Sequence, residues 1–344
     1  MSGHWLDAGI VALGFVLSAY LTWRLTQPGS RLAVLDEPNE RSMHATPVPR
    51  GGGLAIVTAA ALAVLALAWR HEFAARWWWP AGGLAAVLIV SYLDDRHTLR
   101  NSPRFAVHCL AAVLAVYGGT MITELRLPGV ALAVPHSLLA GFSAAYIVWM
   151  INLYNFMDGL DGFSGGMAVF GFGGLGLLAV LQGEPGLALV SGAAAAAAGG
   201  FLLHNFPPAR IFMGDAGSST LGGLAAVLTL WADRHAGIPL WLSLLLFSPF
   251  VVDATVTLLR RMLARERFWE AHRSHYYQKL VGVGWSHRRV VLSEYALMAA
   301  CVVLAVIALR ATTVLQWLIA GAAALFYAAV VAAIHRAERS AGGT

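Results

Sequence analysis

Residues 132–151 read LAVPHSLLAGFSAAYIVWMI, residues 152–165 read NLYNFMDGLDGFSG, and residues 166–181 read GMAVFGFGGLGLLAVL. Two apolar runs, each near the length of about 20 residues that spans a bilayer core, flank one polar loop. That loop holds Asn152, Asn155, Asp158 and Asp161 and neither Lys nor Arg. The apolar runs are continuous rather than alternating, which predicts helices and disfavours a transmembrane β-barrel. The expected fold class is all-α, in a polytopic membrane protein.

The same alternation extends both ways along the chain. Spans are expected at about 6–23, 54–69, 78–93, 105–119, 132–151, 166–181, 187–203, 220–232, 238–257, 291–309 and 314–334. This makes eleven spans; the run at 220–232 is the weakest, and ten is the alternative count. Of the 344 residues, 58% are hydrophobic and only 12% charged, with a mean hydropathy of +0.67. Soluble domains carry about 25% charged residues. The composition excludes a soluble enzyme, a disordered chain and a nucleic-acid module, so no nucleic-acid partner is expected. Cys109 and Cys301 lie inside apolar runs and read as small buried residues. No basic stretch precedes the first apolar run, so a cleavable signal peptide is not expected. With no internal repeat, residues 1–344 read as a single integral membrane domain.

Charge sets the expected orientation. The segments 24–53, 94–104, 152–165, 204–219, 258–290 and 335–344 hold 18 of the 23 Lys and Arg residues. The remaining connections and spans hold the other five, Arg70, Arg76, Arg126, Arg234 and Arg310. The positive-inside rule then places the N-terminus outside and the C-terminus in the cytoplasm. Trp77, Trp78 and Trp79 fall at an outer boundary, where an aromatic belt is expected.

The polar motifs concentrate in the basic set of loops. In Asp36–Gly53, Arg41, His44 and Arg50 suit an anionic group, and three glycines permit close backbone approach. A basic loop touching lipid headgroups reads equally well there. Asp94 and Asp95 end the third span, where two carboxylates are costly unless they meet a cation or a proton; Arg96 beside them offers simple pairing instead. The 152–165 loop, acidic on a basic face, predicts a cation: Asn and Asp oxygens suit Mg²⁺. Phe212-Met-Gly-Asp215-Ala-Gly-Ser precedes a span, so its backbone N–H groups suit phosphate and Asp215 adds a hard oxygen; helix capping alone also accounts for its Asp and Ser. The 258–290 loop carries His272-Arg-Ser-His275-Tyr-Tyr-Gln-Lys279. Its arginines suit an anionic donor or serve topology alone, and no second His or Cys cluster completes a zinc site. Asp253 is expected to pair with an arginine such as Arg260.

Together these segments resemble the polyprenyl-phosphate N-acetylhexosamine-1-phosphate transferases, of glycosyltransferase family 4 type. That group contains initiators of O-antigen and teichoic acid synthesis and, more distantly, phospho-N-acetylmuramoyl-pentapeptide transferase. The resemblance spans about residues 30–290. It rests on the Asp94-Asp95 pair, the Asn155-x-x-Asp158-Gly-x-Asp161-Gly segment and the Phe212-Met-Gly-Asp215-x-Gly-Ser segment. It implies transfer of a sugar 1-phosphate from a UDP-N-acetylhexosamine to undecaprenyl phosphate, releasing UMP. FucNAc, QuiNAc and GlcNAc are the sugars implied, and lipopolysaccharide or other surface-polysaccharide synthesis is the setting. It further implies Mg²⁺, with Mn²⁺ as a substitute, a homodimer among membrane lipid, and a bacterial inner-membrane site facing the cytoplasm.

The resemblance also implies roles. Asp215 and Asn155 hold the metal. Asp94, supported by Asp95, handles the lipid phosphate. His272 and His275 join Asp94, Asp95 and Asp215 as catalytic residues. Arg41, His44, Asn155, Phe156, Asp158, Asp161, Phe212 and Arg273 bind substrate, Phe212 by stacking on uracil. Ser274 departs from the family's histidine-rich motif, which leaves open which histidine matters. The competing expectations are an ion-coupled transporter and a polyprenyl-lipid phosphatase. Carboxylates at span ends, and the lack of a repeat, favour an interfacial enzyme over a carrier.

Overall fold

Every expected span overlaps a helix in the computed structural model, which describes residues 2–30, 32, 34–36, 47–71, 75–266 and 273–342. In chain order the helices are α1 (Ser2–Thr26), α2 (Gly52–His71), α3 (Trp78–His97), α4 (Asn101–Tyr117), α5 (His136–Phe156), α6 (Phe163–Gln182) and α7 (Pro185–Asn205). They continue as α8 (Asp215–His235), α9 (Leu240–Leu246), α10 (Ser248–Leu263), α11 (Tyr276–Gly282), α12 (His287–Leu309) and α13 (Thr313–Gly342). Strands β1 (Val34–Asp36) and β2 (Val48–Arg50) pair antiparallel, as do β3 (Leu125–Leu127) and β4 (Val130–Leu132). The chain is an all-α polytopic membrane protein.

Seven helices among the described residues are long and apolar enough to cross a bilayer: α1, α2, α5, α6, α7, α12 and α13. The run 238–257 is not one straight span. It divides into α9 and α10, which meet at 89° and make an eighth crossing if taken together. Pro249 explains the break. It has no N–H to continue a helix, yet it suits the first turn of the next one.

α3, α4 and α8 are helical but fall outside that set of seven. For α8 the reason is position. It packs against α5 and α3 and is buried along almost its whole length, so it needs small residues rather than greasy ones. A Cβ on Gly222 would lie 2.3 Å from the Met150 carbonyl oxygen of α5. At its N-terminal end, a Cβ on Gly53 of α2 would lie 2.2 Å from Gly217 Cα. Backbone-to-backbone contact of α2 with α8 therefore requires glycine. This contact anchors β2 and the start of α2 beside the first turn of α8.

Candidate active site

The first turn of α8 is the organising element. Its N-terminal N–H groups have no partners within the helix and attract negative charge. Asp95, from the last turn of α3, supplies that charge: its carboxylate accepts from the Asp215 N–H and the Ala216 N–H, each at 3.0 Å. Arg50 of β2 approaches Asp95 at 3.5 Å. Gly214 precedes the helix with φ 79°, and a Cβ there would lie 2.8 Å from Arg50 Cγ and 2.9 Å from Asp95 Oδ2. Glycine is thus required twice over, by the backbone conformation and by the closeness of the charged pair.

Asp94 faces a different partner. Its carboxylate accepts from the Leu99 N–H at 2.6 Å and meets Arg104 of α4 at 2.5 Å. The same guanidinium reaches Asp215 at 3.0 Å. Arg104 therefore clamps two carboxylates from helices far apart in the chain. Asp95 and Asp94 consequently divide their work: one caps α8, the other points to the shared cation.

The 152–165 loop closes the third side. Asn155 donates its Nδ2 to Ser219 Oγ at 3.2 Å and to Ser218 Oγ at 3.4 Å. This turns its amide oxygen away from the two hydroxyls. Asp158 lies near Asp215, Asp95 and Arg50, and burial pushes its carboxyl up to about 7. The Ser164 hydroxyl and Arg50 oppose that rise, while the two neighbouring carboxylates add to it. Asp161 accepts from the Ala209 N–H at 3.0 Å, and Asn205 bridges the Gly162 N–H and the Ile211 carbonyl at 2.9 and 2.8 Å. These bonds fasten the acidic loop to the 206–214 segment. Phe212 is held in turn by β2, its N–H donating to the Pro49 carbonyl at 2.9 Å.

The histidine motif is organised differently. Asp253 of α10 accepts from His275 Nδ1 at 3.1 Å, from the Tyr276 N–H at 3.0 Å and from the Tyr277 N–H at 3.0 Å. Its expected pairing with Arg260 does not occur; Arg260 donates instead to the Ser274 carbonyl. Backbone N–H groups at the start of α11 occupy the Asp253 carboxylate instead. His275 is the N-cap of α11 and is buried, whereas Arg273 is exposed. Tyr277 links this motif to the acidic loop: its ring packs 5.0 Å from Phe163, and a Cβ on Gly159 would lie 2.3 Å from its hydroxyl.

Residues 77–233 match the family described as Glycosyl transferase family 4. A decaprenyl-phosphate N-acetylglucosaminephosphotransferase of Mycobacterium tuberculosis (strain ATCC 25618 / H37Rv) is 32% identical over 326 residues, covering 83% of this chain and 79% of the relative. The chain belongs to glycosyl transferase family 4. This family 4 transferase is also similar to a probable undecaprenyl-phosphate N-acetylglucosaminyl 1-phosphate transferase of Bacillus subtilis (strain 168), 29% identical with 83% and 81% coverage. A phospho-N-acetylmuramoyl-pentapeptide-transferase of Synechococcus elongatus is 29% identical and covers 83% of each chain.

Within the family 4 transferase, the fold brings Asp94, Asp95, Asn155, Asp158, Asp161, Phe212 and Asp215 to one end of the bundle. Arg50 joins them, and α11, capped by His275, packs beside the acidic loop through Tyr277, with Arg273 exposed two residues before that cap. Phe156, at the C-terminal end of α5, is 42% exposed. Arg41, His44 and His272 lie outside the described residues. Two residues were not legible as site members. In the sequence Arg104 reads only as a topology charge, although its place just after Asp94-Asp95 is a usable signal. Asp253 has partners other than the expected arginine, because its backbone donors come from a segment more than 20 residues away.

Proposed function

We propose that this family 4 transferase moves an N-acetylhexosamine 1-phosphate from a UDP-sugar to undecaprenyl phosphate, releasing UMP. One observation carries the reading: Asp94, Asp95 and Asp215 converge on the first turn of α8 with Arg104 between them. The relatives' names, which pair polyprenyl phosphate with N-acetylglucosamine phosphate, support it. GlcNAc is therefore the first sugar to try, ahead of FucNAc and QuiNAc. Surface-polysaccharide initiation at the cytoplasmic face of a bacterial inner membrane follows from the same reading.

The donor set fits Mg²⁺. Asp215 and Asn155 present hard oxygens, and no group of three or more His, Cys, Asp or Glu side chains that could hold a metal occurs among the described residues. Mg²⁺ suits such a site, because it is held by one or two carboxylates together with substrate phosphates and water. When bound, the ion supplies positive charge to the phosphoryl oxygens. The protein's own part is positioning and electrostatics. An oxygen of the lipid phosphate attacks the phosphorus that bears the sugar, the bridging P–O bond breaks, and its electrons leave with UMP. Asp94 orients the acceptor phosphate and takes up its proton if the monoester arrives protonated. Arg104 then exchanges a carboxylate for phosphate oxygens, a bidentate geometry that suits guanidinium. The Asp161-bound 206–214 segment presents Phe212 for uracil stacking, and Arg273 faces the donor phosphates.

The test is UMP release by purified protein with a panel of UDP-sugars. Release that requires both undecaprenyl phosphate and Mg²⁺ is expected. Hydrolysis without the lipid acceptor would replace transfer by a phosphatase reading, and substrate movement without turnover would favour a carrier.

A further inference from the structure

A second recess runs along α8, from Thr220 near the acidic site to Trp231 at the far end. α2 and α3 follow one another in the chain but barely touch; each leans on α8. Between them lies a wedge-shaped cavity of about 1380 Å³, floored by α8 and walled by the start of α7. It exceeds the roughly 300–1,000 Å³ of small-molecule sites. Its walls are apolar, with Leu84 and Leu88 facing Val57, Ala61 and Val64.

The rim is not apolar. Arg76 is exposed and makes no ion pair among the described residues. The charges of Arg76 and Arg234 both act on the His235 ring. Of the carboxylates packed nearby, Asp7 is taken up by Arg70 at 2.8 Å and His71 at 3.0 Å. Asp233 is buried and accepts from the Leu240 N–H at 2.7 Å, while Glu124 pairs with Arg126 at 2.7 Å. Glu72 lies outside the described residues. Just inside the rim, Trp231 Nε1 is buried without a hydrogen-bond partner, its ring set between Trp77 at 5.6 Å and His235 at 5.3 Å. A buried donor without an acceptor is costly, so something brings an acceptor to it.

An apolar wedge, an unsatisfied indole N–H at its mouth and a cationic rim follow one another in the order chain, ester, phosphate. We propose that the wedge binds one anionic diacyl phospholipid. Its acyl chains lie on α8 between α2 and α3, its ester carbonyl accepts from Trp231 Nε1, and its phosphate meets Arg76 beside His235. The site is independent of the transferase reading.

Native mass spectrometry of the purified, delipidated chain tests this with three probes: phosphatidylglycerol, phosphatidylcholine and undecaprenyl phosphate. One phosphatidylglycerol per chain should be retained, about tenfold over phosphatidylcholine. Arg76→Gln should erase that preference and Arg76→Lys keep it. Trp231→Phe should weaken both phospholipids alike. Ala85→Phe, which fills the wedge from α3, should remove both, with the lipid-free melting curve confirming the fold; should it not fold, the Arg76 pair decides. Equal retention by Arg76→Gln and the unaltered protein would overturn the proposal. So would retention of undecaprenyl phosphate alone, or a dimer that Ala85→Phe dissociates with no lipid bound.

Discussion

The acidic centre and the histidine motif lie side by side, yet they handle charge in opposite ways. At the first turn of α8, Asp94 and Asp215 share one guanidinium, and Arg104 is a neighbour that can be exchanged for another charged group. In the histidine motif, Asp253 spends both oxygens on His275 and on two backbone N–H groups, and the Thr257 hydroxyl adds a fourth bond at 3.2 Å. The first arrangement is poised to open; the second is closed on itself. A motif histidine can therefore build the wall of a site without touching what the site binds.

Five substitutions can break or sharpen this contrast. Asp215→Ala has the largest expected effect. It removes the carboxylate nearest the proposed metal, and turnover measured as UMP release should fall by at least ~10²–10³-fold. Turnover within a few-fold of normal would remove Asp215 from the centre. Arg104→Gln should come next, lowering turnover by about 10²-fold. Because it also frees two carboxylates, it should tighten Mn²⁺ binding measured without substrate; weaker binding would mean that Arg104 only holds the helices together.

Asp253→Ala should act mainly on stability. It leaves two buried backbone N–H groups and an imidazole without an acceptor, at about 1–3 kcal/mol for each unsatisfied group. A lowered melting temperature is therefore expected. His275→Asn keeps a good N-cap, so its turnover should stay within about tenfold of normal. A loss matching Asp215→Ala would make His275 a substrate contact and dissolve the contrast. The smallest effect belongs to Lys279→Ala. Lys279 pairs with Glu338 of α13 at 2.7 Å, but the glutamate is about a third exposed, so the loss should stay under ~1 kcal/mol in thermal unfolding.

Much of this was legible before any coordinates. The polytopic helical class follows from run length and composition, because a bilayer admits few other solutions. The residues of the acidic centre also stood out, since carboxylates are rare in such a chain and each one requires a reason. Other features stayed hidden for physical causes. α8 looked like the weakest span because a helix surrounded by protein is built from Gly, Ala, Ser and Thr. The 89° break at Pro249 looked continuous because hydropathy does not register direction. Asp253 was misassigned because a carboxylate seven residues from an arginine suggests a pair, while its true partners are backbone N–H groups, which carry no signature in sequence.

By itself, the sequence determined that this chain must live among helices in a bilayer, and which few polar segments could carry chemistry. Both follow from solvation: burying a polar group in lipid is costly enough to be read one residue at a time. Only the tertiary structure decided which polar groups meet. Asp95 caps a helix that begins 120 residues later, Arg104 joins Asp94 to Asp215, and Trp231, which lines the wedge, has a buried indole N–H without a partner. Hydrogen bonds and ion pairs act over a few ångströms, and distance along the chain does not reveal which groups the fold brings that close.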